Sequence, residues 1–330
     1  MSRRGGPWRF LGWVAGVSLP FFVLGAVGGE VGIGSMRLPA SAAMVVVPGA
    51  VAVGLCWGEG GGAAVAGLLR RLVDRPRPPW RWYVLAAGVF PAVSVLAQAV
   101  AEQAGGAPAS PPLPLVMVPA VAVVFVLAAA CEELGWTAYA TAPMLERAGV
   151  AGTGVVLGLS WAVWHLIPLT QAGHPPSWIV GWVVTTVAAR MVIVAVYART
   201  GAVGTAITAH AMLNLAQACT PALNAPVTMA VSAAAGTAVA AALIARHRAP
   251  TGDRSRPRGP GPGDRLHPRE NAVRSRARRH RRSPHPHRHL STQRRPRRRG
   301  LRASARGALA NTPADDRRNR RGWPAGYCPW

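Results

Sequence analysis

The fourth apolar run of the chain, residues 115–142, reads LVMVPAVAVVFVLAAACEELGWTAYATA. Residues 115–131 carry no charge, and then Glu132 and Glu133 stand side by side before the chain becomes apolar again. About 20 apolar residues are enough for a helix to span a bilayer. An ionisable group inside such a helix is costly, so each one is a candidate functional residue. The run therefore predicts a transmembrane helix with a functional site in it.

Further apolar runs of similar length lie on both sides of this one. Together they predict eight transmembrane helices, at 8–28, 40–58, 82–101, 115–142, 153–172, 178–198, 201–219 and 225–245. Small residues are frequent in these runs, as close helix packing in lipid requires. The expected fold class is therefore all-α: a polytopic membrane helix bundle of about eight spans formed by residues 1–245, followed by a separate tail at 246–330.

The charges between the runs predict how the bundle sits in its membrane. Basic residues concentrate in every second connection, at Arg3, Arg4, Arg9, Arg70, Arg71, Arg75, Arg77, Arg81, Arg147 and Arg199 and in the tail. The alternate connections carry only Glu30, Arg37, Glu102 and His174. Cytoplasmic loops of membrane proteins are enriched in Arg and Lys. The pattern predicts a multi-pass protein of the plasma or inner membrane with both termini in the cytoplasm.

Most of the formal charge of +25 belongs to the tail. Residues 1–245 contain 12 Arg and 7 acids, whereas residues 246–330 contain 25 Arg and 5 acids and show no hydrophobic period. Such a composition predicts a disordered segment. In the cytoplasm its arginines would meet anionic lipid head groups. Its basic runs almost lack aromatic residues, so no specific nucleic acid partner is expected.

Few ionisable or strongly polar residues lie inside the predicted spans. Besides Glu132 and Glu133, those away from the span ends include His165 in span five, Arg190 in span six, and His210 and Asn214 in span seven. Glu132, His165 and His210 each lie near the middle of their spans, which places them in one layer of the bilayer. His210 and Asn214 share a helix face because they are four residues apart. Adjacent glutamates point about 100° apart on a helix, so only one can face a common centre and the other should orient a partner.

Two carboxylates, two imidazoles and an amide at one depth suit hydrolysis. A carboxylate in a low-dielectric cavity can serve as a general base toward water, and histidine and asparagine can donate hydrogen bonds to an oxyanion. The same side chains could instead hold a divalent metal such as zinc. The zinc-protease pattern HExxH is absent, so the residues leave both alternatives open.

Three segments on successive spans carry a family resemblance. EELGWTAY at 132–139, WAVWH at 161–165 and HAMLN at 210–214 resemble, in this order, the signature motifs of the CPBP intramembrane proteases. That family comprises CAAX prenyl endopeptidases and bacteriocin-processing or immunity proteins, also called Abi. RWYVLAA at 81–87 and VYARTGAV at 196–203 also look like segments of that family. The resemblance covers about residues 60–220, with the core motifs at 128–215.

The resemblance implies roles for individual residues. Glu132 is the best candidate for the base that activates water, Glu133 supports it, and His165, His210 and Asn214 bind the water, a metal or the oxyanion. The implied activity is hydrolysis of a peptide bond in a membrane-associated peptide. Prenylated C-terminal peptides, leader peptides and other membrane-bound peptides all remain open as substrates.

One position departs from the family pattern. The first motif has an arginine four residues after the second glutamate, and this chain has Thr137 there. The resemblance implies that this arginine orients the glutamates, so its loss favours an alternative: a catalytically inactive pseudoprotease or scaffold. A second hypothesis is that Arg190 of span six supplies the missing charge. A transporter is a third class, which predicts internal repeats around a central site, and the sequence shows none.

Overall fold

The computed structural model of the 330-residue chain describes residues 6–34, 36–73, 77–105 and 113–248. The predicted disorder of the tail and its contacts with lipid head groups lie outside the described residues. The described residues belong to one compact unit within Met1–Pro250.

In the part of the chain that the structure describes, eight α-helices form a bundle, and the predicted all-α polytopic architecture is confirmed. Their bounds are Gly6–Val27 (α1), Val47–Arg70 (α2), Trp80–Gln103 (α3), Val118–Glu133 (α4), Ala142–Gln171 (α5), Pro176–Thr200 (α6), Val203–Ala218 (α7) and Pro226–Arg248 (α8). Short 3₁₀ segments, Ala40–Val46 and Leu115–Met117, lead into α2 and α4.

By length and composition, the described residues contain six helical runs that could cross a membrane. They are Gly6–Val27, Ala40–Arg70, Trp80–Gln103, Leu115–Gln171, Pro176–Thr200 and Pro226–His247. Predicted spans four and five both fall in the run Leu115–Gln171, and predicted span seven corresponds to the 16-residue helix α7. The chain is thus a multi-pass membrane protein.

A two-stranded hairpin that the sequence analysis did not predict lies between α1 and α2. Strand β1 (Glu30–Ile33) pairs antiparallel with β2 (Met36–Pro39). Gly34 has φ 55° at its turn, a conformation in which glycine carries no steric cost. Arg37 of β2 donates to Glu30 of β1 over 2.7 Å at an exposed position. The hairpin follows the last turn of α1, so it lies at the end of the bundle opposite Gly6, where α1 begins.

A π-helix, Leu134–Thr141, joins α4 to α5. The Thr141 hydroxyl donates to the Trp136 carbonyl five residues earlier, which matches the wider turn of this helix type. The segment begins directly after the two glutamates. Helix α5 continues from the π-helix. Its backbone is kinked at Gly149, where φ is 63°, and the kink separates the first two turns of α5 from its longer second part.

Helix α6 lies at the centre of the bundle, and it has the largest buried share among the six membrane-length runs. Gly154 and Gly158 of α5 face the backbones of Met191 and Val187 of α6, and a Cβ at either glycine would come within about 3 Å of them. Small residues one turn apart allow this close approach, as in many membrane helix pairs. The contact fixes the next turn of α5, which carries Trp161, against Arg190 of α6.

Candidate active site

Glu132, in the last turn of α4, is nearly buried and is held by a tryptophan. The indole Nε1–H of Trp161 on α5 donates to Glu132 Oε2 over 2.9 Å. Hydrogen bonds to ionised groups are stronger than neutral ones. Trp161 therefore fixes one carboxylate oxygen, and the other remains available on the side of the cavity that Glu132 lines.

Glu133 points away from Glu132 into the protein and is fully buried. Arg190 Nη1 donates to both of its carboxylate oxygens at 2.9 Å. His210 Nδ1 on α7 donates to Oε1 at 2.9 Å, and the Thr137 hydroxyl donates to Oε2. This carboxylate therefore joins the π-helix, α6 and α7, and it orients the imidazole of His210.

Arg190 links the surroundings of the two glutamates. Its guanidinium Cζ lies 4.1 Å from the centre of the Trp161 ring, within cation–π distance. The same arginine thus holds Glu133 directly and packs on the residue that holds Glu132. Its Nε and Nη2 have no hydrogen-bond partner among the described residues, so Arg190 retains donors for buried water.

His165 lies one turn after Trp161 on α5. Its Nδ1 is 2.8 Å from the Trp161 carbonyl, which can only accept, so Nδ1 carries the proton and Nε2 is an acceptor. Three indoles surround the ring: the centroids of Trp161, Trp164 and Trp182 lie 5.6, 4.8 and 5.4 Å away. The imidazole is therefore fixed in both orientation and tautomer.

One cavity of about 280 Å³ connects these groups. Glu132, His165, His210 and Asn214 all line it, whereas Glu133 does not. Trp164, Trp178, Trp182 and Phe125 supply much of its apolar wall. The structure therefore brings four of the five predicted site residues to one space and places the fifth, Glu133, directly behind His210.

The cavity reaches the surface at the hairpin. Arg37, which is exposed, and His174, in the connection between α5 and α6, lie at this mouth. The His174 ring stacks on Trp178, with centroids 3.7 Å apart. Partial burial, and to a lesser degree the nearby Arg37 guanidinium, lower the pKa of His174. His174 is therefore neutral at pH 7, and Arg37 carries the positive charge of the mouth.

The donor set does not fit a metal centre in this arrangement. Among the described ranges, no three His, Cys, Asp or Glu side chains cluster closely enough to hold an ion. Of the two glutamates, Glu133 is already occupied by Arg190, Thr137 and His210. We derive no step through a metal, and the predicted divalent ion stays a prediction.

Two contacts of the site were missed by sequence reasoning. Trp161 was not among the predicted site residues, yet its N–H is the group that holds Glu132. Thr137 was predicted only as the loss of the motif arginine, yet its hydroxyl contacts Glu133. The four-residue spacing of Trp161 and His165, and of Glu133 and Thr137, was the available signal for both.

The fold and the site define a multi-pass helical membrane protein with a carboxylate–imidazole centre in the core of its bundle. Residues 114–216, which span α4 to α7 and contain all five predicted site residues, match the family model described as Type II CAAX prenyl endopeptidase Rce1-like. The resemblance inferred from the three motifs is therefore confirmed for this segment. No curated protein matches the chain.

Proposed function

We propose that the protein is an intramembrane endopeptidase that hydrolyses a peptide bond of a membrane-associated peptide. The observation that carries the proposal is that Glu132, His165, His210 and Asn214 line one cavity although they come from three helices. The family match supports CAAX-type endopeptidase chemistry in general. The site is the cavity between α4, α5, α6 and α7.

In the proposed reaction, Glu132 is the general base. A water in the cavity donates one hydrogen to the free oxygen of Glu132 and the other to His165 Nε2. Glu132 accepts the proton as the water oxygen forms a bond to the carbonyl carbon of the substrate. The carbonyl π electrons move to the oxygen, which becomes an oxyanion.

The amide of Asn214 and Nε2–H of protonated His210 donate to that oxyanion. Glu133 supports the His210 imidazolium because it accepts from Nδ1 at 2.9 Å. Arg190 compensates the charge of the Glu133 carboxylate, which it contacts at 2.9 Å. The tetrahedral intermediate then expels the amine, which takes the proton from Glu132, and the C–N bond breaks.

A matched pair of substitutions tests the base. Glu132→Gln keeps the size of the side chain and still accepts from Trp161, but it cannot take a proton. We expect cleavage of membrane-anchored reporter peptides to fall by about 100-fold or more, since general bases contribute on the order of 10²–10⁴. Glu102→Gln, which changes an exposed carboxylate of α3, serves as the control and should cleave normally. Equal cleavage by Glu132→Gln and wild type would refute the assignment.

A non-catalytic scaffold is the second candidate, and Thr137 is the observation that favours it. Failure of the wild-type protein, folded in lipid, to cleave any peptide of a broad anchored library would support this candidate. Binding of the same peptides with equal affinity by wild type and Glu132→Gln would then identify the cavity as a binding site alone.

A further inference from the structure

Among the described residues, the lining of the cavity that holds the candidate active site extends toward one end of the bundle, the end with the hairpin. From the buried layer of Glu132 and His210 its lining continues along α5 to Leu169 and reaches the exposed hairpin at Arg37. At this end, Gln171 at the tip of α5 accepts from Ser41 over 2.6 Å and donates to the Phe22 carbonyl over 2.8 Å. Those contacts tie the rim of the opening to α1.

Packed side chains close the opposite end. Below the layer of the glutamates lie Trp136, Leu157, Ile193, Val196 and Tyr197, each with less than 2% of its surface exposed. None of them lines the cavity. Arg71, the residue directly after α2, donates to the Ala138 carbonyl of the π-helix and, over 2.7 Å, to the Tyr197 hydroxyl of α6. It therefore joins the end of α2 to two other elements beneath this plug of packed side chains.

The charges of the described residues differ sharply between the two ends. At the closed end, where α1, α3 and α5 begin and α2, α6 and α8 end, the acids Glu59 and Glu146 are outnumbered by Arg9, Arg70, Arg71, Arg77, Arg81, Arg147, Arg199 and Arg246. At the open end the described ionisable residues are Glu30, Arg37, Glu102 and His174, and the first two pair with each other. Since arginine-rich connections stay in the cytoplasm, the closed end is the cytoplasmic one.

We propose that the active-site cavity admits its peptide from the non-cytoplasmic side of the membrane. This inference rests on the proposed function for the statement that the occupant is a substrate. The side of the opening itself rests on the shape of the cavity and on the charges, and it holds for a scaffold as well. A peptide confined to the cytoplasm, including a cytoplasmic C-terminus, cannot reach Glu132 through the plug.

The dimensions and the lining define the class of substrate. Helix α5 rises about 15 Å between Trp161 and Gln171, at about 1.5 Å per residue. An extended chain covers that depth in roughly five residues at about 3.3 Å each. The wall is mostly aromatic and aliphatic, with Trp164, Trp178, Trp182 and Phe125 prominent in it. The substrate is therefore a membrane-anchored protein or peptide that presents a short, apolar, extended segment at the outer interface.

Thiol labelling in intact cells tests the side of the opening without reference to activity. In a background with the four native cysteines replaced by alanine, Arg37→Cys and Gln217→Cys place a thiol at the mouth and on the cavity wall. Arg199→Cys, exposed at the closed end, is the matched control. With a membrane-impermeant trimethylammonium methanethiosulfonate, we expect the first two to react in intact cells and Arg199→Cys only after permeabilisation. The reverse pattern overturns the proposal.

Two reporters with opposite orientations in the membrane test the class of substrate. Each carries the same short apolar segment beside a transmembrane anchor, exposed outside in one reporter and in the cytoplasm in the other. We expect at least tenfold faster cleavage of the outer reporter, lost in Glu132→Gln, and blocked by modification of Gln217→Cys. Preferential cleavage of the cytoplasmic reporter contradicts the inference. Outward labelling with cleavage of neither reporter contradicts the statement about substrate and counts against the proposed function, but leaves the side of the opening established.

Discussion

A fully buried carboxylate needs a cation or several hydrogen bonds, and Glu133 has both. The motif arginine that the family resemblance predicts four residues later is replaced by Thr137, which reaches Glu133 only with a hydroxyl. The full positive charge comes from Arg190 on α6, whose Nη1 lies 2.9 Å from both oxygens. At the scale of single residues, the charge that the first motif lacks is thus present but comes from another helix.

The first prediction concerns Arg190. Arg190→Gln leaves Glu133 buried without its cation, and breaking a buried ion pair typically costs about 3–5 kcal/mol. We expect a thermal unfolding midpoint lower by several degrees and cleavage reduced by at least about tenfold. Arg199→Gln, an exposed arginine two turns later, should change neither measurement.

A second substitution separates charge from packing in that experiment. Thr137→Arg introduced together with Arg190→Gln should restore part of the cleavage, because it returns a cation to the position that the motif uses. Cleavage that stays lost in the double variant, with its stability recovered, would show that Arg190 acts through the Trp161 ring rather than through Glu133.

The second prediction concerns the hydrogen bond to Glu132. Trp161→Phe keeps an aromatic face for Arg190 but removes the N–H that holds Oε2. A hydrogen bond to a charged group contributes about 1.5–3 kcal/mol, so we expect cleavage to fall by about 10- to 100-fold at a nearly unchanged unfolding midpoint. Trp164→Phe is the matched control, because its N–H donates to Ser18 of α1. We expect Trp164→Phe to lower the unfolding midpoint and to reduce the cleavage rate less than Trp161→Phe does. Equal cleavage rates for the two variants would contradict the role assigned to Trp161.

At the scale of elements, the junction of α4 and the π-helix determines where the glutamates point. This junction packs on α2 with almost no space between the two backbones. A Cβ at Gly49 would lie 2.6 Å from the Cys131 carbonyl, one residue before Glu132. Because the backbones of α2 and α4 are in such close contact, the last turn of α4 cannot move toward α2.

The third prediction follows from that contact. Gly49→Ala forces α2 and α4 apart beside Glu132, and overpacking of this kind costs typically about 1–3 kcal/mol. We expect a lower unfolding midpoint together with a loss of cleavage. Gly54→Ala in the same helix meets no atom within 4 Å and should be neutral or slightly stabilising, since alanine is the better helix former. A Gly49→Ala variant as stable and active as wild type would mean that the two helices have room to move.

The sequence predicted the bundle well because hydropathy alone places membrane helices. All eight predicted spans overlap one of the helices α1–α8 or the π-helix after α4. It did not predict the hairpin, whose strands are four residues each, or the π-helix, because no local pattern distinguishes that turn from an α-helical one. The contacts of Trp161 and Arg190 also escaped it, since they depend on how α5 and α6 face each other.

At the scale of the whole molecule, the chain combines an apolar bundle with a tail that carries most of the charge. Residues 246–330 hold 25 Arg against 5 acids. Each arginine near an anionic membrane surface contributes on the order of 1 kcal/mol. The fourth prediction is that a peptide of residues 251–330 cosediments with vesicles containing phosphatidylglycerol and not with neutral vesicles.

Salt decides whether that binding is electrostatic. Raising the ionic strength from about 0.1 to 1 M shortens the Debye length from about 10 to 3 Å, so the bound fraction should fall severalfold. Binding that persists at high salt, or that is equal on neutral vesicles, would contradict the role proposed for the tail.

The transfer of the cation from the first motif to α6 also bears on how such a chain could arise. If an ancestor carried the motif arginine, as the resemblance implies, then the exchange passed through a chain with both cations or with neither. A chain with neither leaves Glu133 buried without a cation, at a cost of several kcal/mol. The cheaper order is gain of Arg190 first and loss of the motif arginine second. Once Arg190 was in place, replacement of the motif arginine by threonine would still leave Glu133 paired with a cation. A sequence search that requires the motif arginine would therefore reject chains that have kept this ion pair.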